Sequence, residues 1–185
     1  MPSASLLHWQ NDRMPRLQEF DLQCAASLMA VPLNARLIDE NLRGYVVLLS
    51  AHFQGFCRDL YTEATQVIAS KVRPGFRLLI REQFSAHRNL DRGNPTYEHL
   101  REDFKRFGFT LDLTVDPANA PRLAHLSALN KWRNVAAHQG PTIPAGILLD
   151  LPSLRLWRTS CDGLASSLDA ILYNNLRRIL RRAPW

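Results

Sequence analysis

The chain encodes an all-α protein. Apolar residues recur at steps of three and four over long stretches, proline and glycine fall between those stretches, and no run of alternating polarity has a partner run to pair with. With 46% hydrophobic residues, enough for one continuous core, and with no internal repeat, low-complexity tract or long linker, the 185 residues form a single domain spanning 1–185.

Taken in order, the first helix is predicted over 14–29, with Leu17, Phe20, Leu22, Ala25 and Leu28 on its inner side and Pro15 tolerated in its first turn. A long core helix follows over 37–70, where Leu42, Tyr45, Val46, Leu49, Phe53, Phe56, Leu60, Ala64 and Val67 recur at helical spacing. Its run from Tyr45 to Leu49 is apolar enough for a buried strand, but the periodicity persists far beyond strand length. Pro74 and Gly75 break the chain, a short helix is expected over 76–87, and the residues from Asp91 to Pro95 form a polar loop. An amphipathic helix over 97–107 turns Tyr97, Leu100, Phe104 and Phe107 inward and stops at Gly108. The residues 110–115 alternate weakly, but Asp116 and Pro117 cut them short, so they are expected as loop. The penultimate helix spans 118–138, capped by Asp116 or Asn119 and closed by Gln139, Gly140 and Pro141. After a loop over 141–152, the last helix runs over 152–182 with Leu154, Trp157, Leu164, Leu168, Ile171, Leu172, Leu176 and Ile179 inward.

Charge narrows the function classes. With 23 Lys+Arg against 17 Asp+Glu, a net charge of +6 and a pI near 9.7, the chain suits a polyanionic partner or simply a basic surface. Cys24, Cys57 and Cys161 show no Cys-x-x-Cys spacing, and His8, His52, His87, His99 and His125 show no paired ligand spacing, so neither a disulfide framework nor a metal site is expected. The uncharged stretch 44–57 contains His52 and Gln54 and is too short to cross a bilayer. His8, Trp9, Asp12 and Arg13 interrupt the region where an export signal needs an apolar run, which makes a reducing cytoplasmic setting the expectation. Arg177, Arg178, Arg181 and Arg182 recur at helical spacing and are expected as a solvated basic face, and Trp132 and Trp157 as core anchors.

Chemistry concentrates in Lys131-Trp132-Arg133-Asn134-Val135-Ala136-Ala137-His138. Helical spacing places Leu126, Leu129, Trp132, Val135 and Ala136 inward, and Ser127, Lys131, Asn134 and His138 on the opposite face, with Arg133 at the flank. These residue types suit cleavage of RNA by its own 2′-hydroxyl. That reaction needs a proton acceptor near neutrality, which His138 supplies, and a fixed charge on the phosphate, which the planar fork of Arg133 supplies. Asn134 would orient the imidazole or a phosphate oxygen, and Lys131 would attract the backbone. No metal and no cofactor are called for. The structural alternative is an ordinary helix terminus, where His and Arg favour the dipole and Asn and Gly stop the helix.

Arg133, Asn134 and His138 match the Arg-polar-x-x-x-His motif of the HEPN superfamily, and the run from Arg43 to Ala64 resembles the long second helix of its RiboL-PSP or MAE-type branch. The resemblance implies a HEPN-like helical bundle with a long second helix, the motif on the penultimate helix and a long final helix. It implies a metal-independent endoribonuclease acting on RNA, of the kind found as toxins or in antiviral defence. It implies a homodimer with the two motifs facing across a shared cleft; a toxin held in check by a cognate antitoxin is a third reading. Many relatives carry glutamate where this chain has Gln54; Asp59 and Glu63, on neighbouring turns, are the carboxylates available in its place. A non-catalytic helical module that binds RNA or a partner protein is the competing reading.

Overall fold

A computed structural model describes residues 1–138 and 146–185, with the side chain of His138 outside the described set. The described elements are α1 (Ala4–His8), a π-helical turn (Trp9–Arg13), α2 (Met14–Met29), α3 (Ala35–Ala69), α4 (Arg77–Ser85), α5 (Tyr97–Lys105), α6 (Asn119–His138) and α7 (Leu151–Leu180), with short 3-10 pieces at Pro74–Phe76 and Asn89–Asp91. No strand occurs among the described residues, and the all-α architecture stands. The expected stop at Gln139, Gly140 and Pro141, and most of the loop after it, lie outside the described residues.

The helical path begins earlier than the periodicity of 14–29 indicates. Ser3 caps α1 by accepting from Leu6 N at 3.0 Å, and the Glu63 carboxylate accepts from Ala4 N and Ser5 N, each at 2.9 Å. Trp9 then seals the junction, fully buried against Phe53 and donating from Nε1 to Asp162 at 2.9 Å. The π-helical turn lies just ahead of Pro15, whose ring would press on the carbonyl four residues back in a tight α-turn.

The inner face of α2 is rotated from the expected one. Leu17, Asp21 and Cys24 are buried, while Leu22 is 67% exposed and Leu28 is open to solvent. The cause is a partner no periodicity reveals: Arg155 of α7 grips the Asp21 carboxylate through Nε and Nη2, both at 2.9 Å to the nearer oxygens, and so turns a charged residue inward.

The long helix α3 forms the centre of the molecule and packs against α1, α2, α4, α6 and α7. Its buried stripe carries Leu42, Tyr45, Val46, Leu49, Phe53, Phe56, Leu60 and Ala64 as expected and adds Cys57 and Tyr61, while Val67, expected inward, is half-buried. A side chain at Gly55 would displace the Arg13 guanidinium, which crosses that position to reach Asp59 at 2.6 Å.

Two buried polar residues fix the remaining helices. Asp103 of α5 is fully buried and accepts from Asn89 N at 3.0 Å and Leu90 N at 2.9 Å, tying the 3-10 turn to α5. Of the two expected caps for α6, Asp116 closes the turn just ahead of the helix, its Oδ1 accepting from Ala118 N at 3.0 Å and its backbone O from Asn119 N at 2.9 Å. Asn119, fully buried, instead donates to Leu113 O at 3.0 Å and accepts from Arg122 and Ser167. Helix α7 is capped by Asp150, which accepts from Ser153 N at 2.8 Å, and ends at Leu180, earlier than the expected 182, where Arg181 turns left-handed at φ 56°. Its inner face is as expected except at Ile171, which is half-buried, and Ile179, which is exposed.

Candidate functional site

Helix α6 lies between α3 and α7, and its packed side carries Leu126, Leu129 and Trp132 into the core. Trp132 donates from Nε1 to Ile147 O at 3.1 Å, and the Arg43 guanidinium sits 6.0 Å over its ring. With that side anchored, the 3.6-residue turn leaves Ser127, Lys131 and Asn134 exposed and Arg133 half-buried at the flank, as the spacing predicts. His138 is the last residue of α6, and its side chain lies outside the described residues.

Arg133 differs from the arginines that are tied to carboxylates and resembles Arg122 of the same helix, which donates to the Asn119 amide oxygen at 3.0 Å. Arg43 is tied to Asp39 at 2.7 Å, Arg58 and Arg88 both reach Asp91, and Arg155 is held by Asp21. Among the described residues Arg133 has no carboxylate partner, and its polar contact is the Asn134 Oδ1, 3.5 Å from Nη1. A guanidinium held by a neutral amide keeps its full charge available for an anion.

Asn134 is itself positioned from outside α6. Its Oδ1 accepts from Asn94 Nδ2 at 2.8 Å. The loop that carries Asn94 is in turn held by α3: Gln54 Nε2 donates to Leu90 O and Gly93 O, both at 2.7 Å, and Arg58 Nε donates to Leu90 O at 2.9 Å. His99 Nδ1, 2.9 Å from Asn94 O, braces the loop from α5. A relay of amides therefore runs from Gln54 through Gly93 and Asn94 to Asn134 and Arg133. Both groups facing Gln54 are carbonyl oxygens, so an amide donor fits there and a carboxylate would meet acceptors only. Asp59 and Glu63 do not stand in for a carboxylate beside the motif: Asp59 pairs with Arg13, and Glu63 caps α1.

Sequence reasoning missed Asn94 and Asn130. The signal was present in Asn94-Pro95-Thr96, a turn followed by the residue that caps α5 by accepting from His99 N at 3.2 Å. The nearest α6 residue, Asn130, is buried and donates to Pro95 O at 3.4 Å. Together these residues border a groove of about 350 Å³ between α5 and α6, next to the motif.

Of the remaining histidines two are paired, and His52 has a buried Nδ1 with no hydrogen-bond partner among the described residues. His8 pairs with Asp12, and His125 is hydrogen-bonded to Ser160 at 2.8 Å. Burial first, then the charges of Arg13, Arg16 and His8, hold His52 below its ordinary value, which favours a neutral ring at pH 7. Among the described residues no group of His, Cys, Asp and Glu is arranged to hold a metal ion. No described helix is long and apolar enough to cross a membrane. Against family models, curated proteins and solved structures, the chain matches none.

Proposed function

We propose that the chain is a metal-independent endoribonuclease of the HEPN type. The observation that carries this reading is Arg133: half-open to solvent near the end of α6, held by Asn134, and free of a carboxylate partner among the described residues. The net charge of +6 and the exposed Lys131 favour approach of a polyanion.

In the proposed reaction His138 takes the proton of a ribose 2′-hydroxyl, the 2′-oxygen attacks the adjacent phosphorus, and the bond to the 5′-oxygen breaks. The products are a 2′,3′-cyclic phosphate and a 5′-hydroxyl. Arg133 offers two N–H donors to the non-bridging oxygens as charge accumulates, Asn134 holds the guanidinium in register, and Lys131 draws the backbone in. The leaving oxygen needs a proton, and His138 of a second copy is the proposed donor. A mostly apolar groove of about 480 Å³, lined by Phe20, Gly44, Val47, Leu48 and Ala51 with Arg43 among them, reaches Ala136 on the motif helix, and it is the face proposed to meet that copy.

Incubation of the purified protein with RNA in excess chelator is expected to yield cyclic-phosphate ends. Substitution His138→Ala or Arg133→Ala should lower the rate by about 10²-fold or more. Cleavage by both variants at the wild-type rate would leave the catalytic assignment without support. The competing reading, a non-catalytic module that binds RNA or a protein, is favoured by the amide at position 54. Its mark is binding that survives Arg133→Ala with no cleavage by the wild type.

A further inference from the structure

We infer that α4 and the turn ahead of it form a docking surface for an anionic lipid bilayer. Phe76, Leu78 and Leu79 enter the boundary between headgroups and acyl chains, and Lys71, Arg73, Arg77 and Arg81 meet the headgroup phosphates and carboxylates. The surface stands apart from the α6 motif and does not depend on the nuclease reading.

α4 packs on α3 by one side only, and none of its residues is fully buried. Its two half-buried residues, Ile80 and Phe84, lie one turn apart. The Phe84 ring stacks on Phe107 at 5.2 Å, and its backbone oxygen accepts from the Tyr61 hydroxyl at 2.9 Å. Leu78, two positions before Ile80 and so about 200° around the helix from it, is turned away from that side. It is 67% exposed, Leu79 is 50% exposed, and Phe76, in the 3-10 turn that leads into α4, is 55% exposed. Phe76 and Leu79 are neighbours across one turn. Three large apolar side chains within four residues make a patch, where scattered exposed leucines would mean nothing.

Charge decides what covers it. Over residues 64–90 the acidic residue is Glu82, against Lys71, Arg73, Arg77, Arg81 and Arg88. Arg88 is held by Asp91, whereas the other four cations are exposed and have no carboxylate partner among the described residues. Arg77 reaches back to Ser70 O and Val72 O, 3.4 Å each, which leaves its charge unneutralised. Glu82, one turn beyond Leu78, shares the outward side and opposes an anionic surface, but it is outnumbered. A nucleic-acid backbone would engage the cations and leave the apolar side chains in water; a neutral membrane would do the reverse. An anionic bilayer engages both, and a nine-residue helix lies in its interface without crossing it.

The test floats the full chain with vesicles of phosphatidylcholine alone and of phosphatidylcholine mixed equally with phosphatidylserine. Binding to the mixed vesicles should be at least tenfold tighter and should weaken with salt. Leu78→Glu combined with Leu79→Glu should weaken it tenfold or more without changing the melting temperature, because both side chains are exposed. Arg77→Gln combined with Arg81→Gln should weaken it to a similar degree. In the wild-type chain, a spin-labelled lipid in bicelles of the mixed composition should broaden the amide resonances of 76–79 before those of other segments, a result that decides the matter even if a variant does not fold. Failure to bind the mixed vesicles, equal binding to phosphatidylcholine alone, unaltered binding by the leucine variant, or broadening confined to other surfaces would overturn the inference. RNA binding that needs Arg77 and Arg81, with no vesicle bound, would assign those cations to a polynucleotide and overturn it too.

Discussion

Gln54 shows how much one amide can decide. Its two 2.7 Å hydrogen bonds hold the loop whose next residue, Asn94, positions Asn134. The substitution Gln54→Leu keeps the volume but leaves Gly93 O without a donor and Leu90 O with Arg58 alone, at a cost of about 1–3 kcal/mol. Urea unfolding is expected to register that loss, and RNA cleavage is expected to fall with it because Asn134 is no longer held. Unchanged stability and rate in the variant would show that the relay carries nothing. At this scale the sequence was partly legible. The identities and spacing of Lys131, Arg133, Asn134 and His138 follow from local helical geometry, and the structure places the first and third on the exposed face. The roles of Asn94 and Asn130 did not, because each depends on a residue more than thirty positions away.

Among the elements, helix termini explain where the site can form. α7 starts where Asp150 meets the Ser153 amide at 2.8 Å, directly after the chain returns from the motif. Removing that acceptor with Asp150→Ala should cost about 1 kcal/mol through an uncapped amide. Circular dichroism melts should show the lower midpoint with no loss of folded helicity, and an unshifted midpoint would mean the cap is dispensable. The periodicity located α3, α6 and α7 to within a few residues, since each hides a continuous stripe against the others. It failed at α1, whose first amides are satisfied by Glu63 from α3, and at α2, whose buried face is set by Asp21 meeting Arg155. In both places a charged partner from another helix outweighs local hydrophobicity.

For the whole molecule, the proposed reaction needs a proton taken at the attacking oxygen and another given at the leaving oxygen, and the second copy proposed above would be the donor. Val47 is exposed on the apolar groove that reaches Ala136. Placing a charge there with Val47→Arg is expected to convert a dimer to a monomer in sedimentation equilibrium and to abolish cleavage, while leaving the monomer folded. A wild-type chain that sediments as a monomer while cleaving RNA would rule out the shared cleft.

The all-α class, the long central helix and the face of α6 that meets solvent can be read from periodicity alone, because a helix writes its burial into a 3.6-residue period that needs no knowledge of its neighbours. Which way α2 turns, why position 54 carries an amide, and which asparagines gather beside Arg133 emerge when the helices pack. Those outcomes depend on hydrogen bonds between residues distant along the chain, and such bonds leave no period to read.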